Sequence, residues 1–251
     1  MSTDEKFTFR LSPLTRLMMT LDEEMALDRQ RVVFDGQRRE MYLNMYSLAV
    51  GKRDQLLKSV ALLDTVLLLL LYGKSITVPG LGITLLDIPA GLEIVTVLAS
   101  LTFMFLGLAF LNEQAYLAIA NKFGQHLAKA PGVDPDFVNA SEKPFEFVLK
   151  LYGRKMNIGG PDFFVPGLAY RLFFGSILLA LQFSMIAVIL LHFLAIGAAC
   201  TTLWSTPSAY YFSQVAAVFA LTSNVVGFLI VTSMNIGFSF TFEPVDRSSP
   251  R

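Results

Sequence analysis

Asp64 is the residue best placed to do chemistry in this sequence. It lies in residues 56–72, LLKSVALLDTVLLLLLY, where it is the one carboxylate in a nearly unbroken hydrocarbon run from Ser59 to Tyr72. An ionised carboxylate set into lipid costs roughly 2.5–3.5 kcal/mol on insertion scales. Asp64 must therefore face protein or water, or carry a proton. Two readings stay open: an ion or proton site, or a hydrogen-bonded helix contact kept wet by the nearby interface. Asp64 follows Lys58 by six residues, about 9 Å at helical rise, which places it in the inner half of the span.

Other apolar runs supply polar groups at comparable depth. Thr102, Gln182 and Asn224 fall near the middle of theirs, with Ser100 and Ser223 beside them. A layer built from Asp64, Thr102, Gln182 and Asn224 is the candidate intramembrane polar site. Its alternative is ordinary interhelical hydrogen bonding, worth about 0.6 kcal/mol per contact. Asp87 and Glu93 form a candidate outer mouth that would attract cations, or are simply solvated acids. His192 is expected near the outer end of its span, as an interface or core residue. The other histidine, His126, lies in a different segment, so no metal site follows. Cys200 is the single cysteine, which excludes an internal disulfide and any cysteine cluster. The chain has no phosphate-binding glycine loop, no nucleophile elbow and no zinc-binding H-E-x-x-H. The expectation is no enzyme, no metal and no cofactor.

These residues need a scaffold, and the composition says which kind. Apolar residues make up 54% of the 251, charged residues 16%, and mean hydropathy is +0.55. Soluble domains carry about 25% charged residues, so the polar surface here is too small for a water-soluble globule. The expected class is an all-α membrane protein with four transmembrane helices and short amphipathic cytoplasmic helices. A span needs roughly 20 apolar residues, and the candidates are 56–72, 91–111, 172–196 and 211–234. The first is the weakest, because Lys58 and Lys74 bracket only 15 residues, about 22 Å. Lysine stems can snorkel to close the gap.

Basic residues set the orientation. Ten precede the first span, seven lie between the second and third, and two follow the fourth; only Lys74 falls elsewhere. By the positive-inside rule both termini are cytoplasmic, and the expected location is the plasma (inner) membrane, multi-pass. The polar start, MSTDEKFTFR, has no apolar segment behind it, so no cleaved signal is expected. The organisation is then a cytoplasmic helical arm over 1–55, a transmembrane hairpin over 56–112 with outer loop 73–90, and a cytoplasmic connection over 113–170. A second hairpin over 171–236 and a tail over 237–251 complete it.

Local signals refine this outline. Ser12-Pro13 reads as a helix start, and Thr20 with Glu23 as a second one. The arm either lies on the inner leaflet or packs on protein, its acids Asp22, Glu23, Glu24 and Asp28 spoiling a clean basic face. Asp35-Gly36 is a break, after which a helix runs into the first span. The outer loop, broken by Pro79 and Pro89, is a short hairpin or strand, or else re-entrant. The second span continues as a helix through 112–130, and Ser141 caps a further short helix. The function expected is an interaction or scaffold subunit presenting a cytoplasmic helical layer. The alternative is a small oligomeric channel or membrane-permeabilising effector gated from the cytoplasm. Its contacts are the lipid bilayer, with self-association and a cytoplasmic protein partner as open alternatives; no nucleic-acid partner is expected.

Overall fold

The computed structural model describes residues 7–28, 33–74, 84, 88–127, 167–205 and 211–242. Five helices and one two-stranded ribbon make up the described residues: β1 (Phe7–Leu11), α1 (Pro13–Leu27), α2 (Gly36–Leu71), α3 (Gly91–Leu127), α4 (Leu168–Ser205), α5 (Tyr211–Ser233) and β2 (Phe238–Phe242). Three of the helices, α3, α4 and α5, are long and apolar enough to cross a bilayer, and the chain is membrane-embedded. α2 differs from them because its last turns carry Asp54, Lys58 and Asp64.

Helix ends follow their local chemistry. Ser12 Oγ accepts from Thr15 N at 3.1 Å, with Pro13 in the first turn of α1. Thr20 and Glu23 lie inside α1, which runs through them without a second start. Asp28 Oδ2 then accepts from the Val33 and Phe34 amides, and Asp35 Oδ1 caps α2 by accepting from Arg38 N. At the other end of α2, Gly73 takes φ +65, Gly73 N donates to Leu70 O and Lys74 N to Leu69 O. That pair of bonds satisfies the last carbonyls of a helix whose next residue must be left-handed, a role for glycine.

α2, α3 and α5 form the packed body, and α4 joins it through its final third. The core near the start of α3 is built from Leu67, Val95, Ala99, Ala195, Ile196, Ala199, Leu203, Ala217 and Ala220. Small residues let the helices approach closely. The limit is reached between α3 and α5, where a Cβ on Gly107 would stand 2.9 Å from Gly227 O and a Cβ on Gly227 3.0 Å from Met104 Cα. The half of α4 before His192 leaves the body, and its described apolar side chains from Leu172 to Leu191 are largely exposed.

Beyond the apolar body, α2 and α3 continue side by side as a stalk. Its core is Phe123, fully buried, with Phe34 and Tyr42 rings 5.7 and 5.6 Å away. α1 packs along this stalk. Leu14 N donates to Met234 O at the end of α5, and eight residues later Asp22 meets Lys122 at 2.5 Å. α1 thus packs on protein, and Asp22, one of the acids that spoil its basic face, makes the Lys122 contact.

The ribbon has no counterpart in the expected organisation, which gives a helical arm and a tail at these positions. β1 and β2 pair antiparallel from the two ends of the chain, with Phe9 opposite Phe240 and Leu11 opposite Phe238. The expected helix capped by Ser141 and the residue Asp87 lie outside the described residues; in the outer loop, Thr84 alone of residues 75–87 is described.

Candidate functional site

Three helices place one polar group each at a single point inside the body. Asp64 comes from α2, His192 from α4 and Asn224 from α5. His192 Nδ1 stands 2.8 Å from Asp64 Oδ1, and Nε2 stands 2.7 Å from Asn224 Oδ1. Exposure of the three is 4%, 1% and 3%. The fourth helix, α3, closes the site with Phe103, whose ring stacks on the imidazole at 4.4 Å and 19°. Phe193 meets both rings edge-on, and Phe228 meets Phe193.

The orientation of the Asn224 amide sets the hydrogen-bond roles in this cluster. Asn224 Nδ2 donates to Ala220 O at 2.9 Å, which turns its Oδ1 toward the ring as an acceptor. Nε2 must then carry a hydrogen. Between Nδ1 and Asp64 Oδ1 one proton satisfies both atoms. It sits on the imidazole and is donated to a carboxylate, or on the carboxyl group and is donated to the imidazole. All three polar groups thus find hydrogen-bond partners inside an apolar body, where an unpartnered polar group is costly.

Depth follows from helical rise. At 1.5 Å per residue, Asn224 lies about 20 Å from Tyr211 and about 14 Å from Ser233, close to the middle of α5. His192 is likewise about 20 Å from Ser205, and Phe103 about 18 Å from Gly91. α2 stops earlier, about 10 Å beyond Asp64. The cluster thus sits at mid-depth of the body, not at the outer end where His192 was expected. The cause is that α4 runs on to Ser205, past the expected end at 196.

The same extension moves Gln182 out of the site. Ten residues before His192, it lies about 15 Å away along the axis on the exposed half of α4. Thr102 also stands apart: its hydroxyl donates to Leu98 O of its own helix, while its neighbour Phe103 faces the ring. Of the four residues of the expected layer, the fold brings together Asp64 and Asn224, and it does so through His192. Glu93, half-buried, accepts from Ser213 Oγ at 2.7 Å, joining α3 to α5. The residues that the sequence reading missed are His192 and Phe103. The available signal was the single histidine embedded in a run as apolar as 172–205.

A second polar contact lies at the start of the stalk. Arg53 Nη1 donates to both oxygens of Glu113 at 2.6 Å, and its Nε and Nη2 donate to Asp54. Burial alone would lower the basicity of this guanidinium, but Asp54 and Glu113 hold it above the ordinary arginine value. Arg53 is about 16 Å along α2 from Asp64, and Glu113 about 15 Å along α3 from Phe103. That distance is half of a typical hydrocarbon core, so this contact marks one boundary of the apolar body. Among the described residues no group of three or more His, Cys, Asp or Glu is arranged to hold a metal.

Comparison with known proteins finds no matching family model, no matching curated protein and no matching solved structure.

Proposed function

We propose that this chain is a multi-pass membrane interaction subunit, without enzymatic activity, that self-associates through α2. In this reading α2 is the fourth span, and the stalk and both termini face the cytoplasm. The orientation is supported by the placement of nineteen of the twenty basic residues.

One observation carries the proposal. The exposed residues Met41, Met45, Leu48, Lys52, Gln55, Ser59 and Leu62 follow one another along α2 in alternating steps of four and three, and Leu69 continues the face one heptad on, while half-buried Val66 between them packs on the core. Lipid accounts for Leu62 and Leu69. It does not account for Met41, Met45 and Leu48, which belong to the stalk; Leu48 is 69% exposed and lies about 24 Å along the helix from Asp64. Copies in one bilayer share a direction, so two α2 helices meet in parallel, the geometry in which this spacing interdigitates. Lys52, at a seam position, would limit the register and number of helices at some cost in stability.

The test is the mass of full-length protein in detergent by light scattering. A dimer is expected, and Met45→Asp with Leu48→Asp is expected to weaken it by at least about tenfold. A wild-type monomer at every concentration tried would sink the proposal.

A second reading is favoured by the Asp64–His192–Asn224 cluster at mid-depth, since carboxylate and histidine chains inside membranes commonly serve proton pathways. A small channel would then conduct through this point. Asp64→Asn keeps a hydrogen-bonding group of the same shape, so the fold is expected to persist while proton or cation flux into liposomes disappears. Equal flux in wild type and variant removes Asp64 from any such path.

A further inference from the structure

The β1–β2 ribbon is an amphipathic surface held at the boundary of the apolar body. β2 follows the end of α5 by four residues, 234–237, and Leu14 N bonds Met234 O just after β1. Met234 lies about 15 Å along the chain from Asn224, level with Arg53 and Glu113. The ribbon is thus tied at headgroup depth by both of its strands. Side chains alternate between faces along a strand. One face carries Phe9, Leu11, Phe238 and Phe240, and the other carries Thr8, Arg10 and Ser239. Phe9 is 50% exposed and Phe238 45%. Arginine brackets the aromatic rings: Arg10 donates to Gly237 O from the polar face, and the Arg16 guanidinium lies 4.9 Å over the Phe240 ring.

We propose that this ribbon is an interfacial anchor for anionic phospholipid, with Phe9 and Phe238 in the acyl boundary and Arg10 and Arg16 drawing headgroup phosphates. Aromatic rings favour this depth, and arginine near an anionic surface contributes attraction that a neutral leaflet does not. A protein partner would leave the half-exposed rings away from lipid, and the test separates the two. The proposal does not depend on self-association or on the Asp64–His192–Asn224 cluster.

The test uses the full-length chain in liposomes. Trp204, the only tryptophan, is replaced by Trp204→Phe, and Phe9→Trp or Phe238→Trp is introduced as the reporter. Fluorescence quenching is compared between brominated phosphatidylcholine and brominated phosphatidylglycerol. Both reporters are expected to be quenched, with phosphatidylglycerol preferred by about fivefold for each contributing arginine. Arg10→Gln with Arg16→Gln should bring the preference to parity while quenching remains. Reporters that neither lipid quenches, or that both lipids quench equally with the arginines intact, would overturn the assignment. The exposed aromatic positions tolerate tryptophan, so two independent reporters guard against one failing to fold.

Discussion

Asp64, His192 and Asn224 act as a unit because each satisfies an atom that another would leave bare. Replacing a partner therefore matters more than removing a charge. Asp64→Leu leaves His192 Nδ1 with no partner in an apolar interior and is expected to cost about 1–3 kcal/mol. Asp64→Asn preserves a group that can meet Nδ1 and should cost less than about 1 kcal/mol. Thermal unfolding of the two variants in the same detergent distinguishes them, and equal losses would mean that the hydrogen-bond accounting is wrong. Glu113 follows the same logic at the boundary, where Arg53 covers both of its oxygens.

Elements reach the site only because of what they lack. Gly107 and Gly227 bring α3 against α5 within contact of backbone atoms, and that approach sets how far Phe103 stands from the ring carried by α4. Gly227→Val would drive a side chain into Met104 and its neighbour Phe103. The expected loss is about 1–3 kcal/mol, the usual range for overpacking, with weaker protection of the His192 ring hydrogens in NMR exchange. Unchanged stability would show that the two helices can slide apart without penalty. α4 is the contrasting element. Its final third fits the core through Ala195, Ala199 and Leu203, and the segment before His192 meets little but its surroundings, so the histidine stands where the helix parts from the body.

At the level of the whole molecule, a mid-depth polar cluster joins a boundary ion pair, an aromatic ribbon and a projecting stalk in one vertical order. The apolar body leaves large side chains such as Leu62, Phe183, Leu194 and Leu229 facing outward, a surface suited to hydrocarbon. The chain is accordingly expected to stay with the pellet when membranes are washed at alkaline pH, and to enter solution only with detergent. Recovery in the alkaline supernatant would contradict membrane embedding itself.

The sequence by itself determined the hydrophobic runs, the helix start at Ser12-Pro13, the break at Asp35-Gly36, and the unbroken passage from stalk to body in α2 and α3. These are local properties, settled by composition and by caps within a few residues. It also pointed to Asp64 and Asn224 as polar groups needing company. Only the tertiary structure decided what that company is. Depth depends on where each helix ends relative to the others, and the run of α4 to Ser205 moved His192 to the middle and Gln182 away from it. The pairing of Phe7–Leu11 with Phe238–Phe242 is equally non-local: more than 220 residues separate strands that carry no turn between them, so no pattern within either strand announces the other.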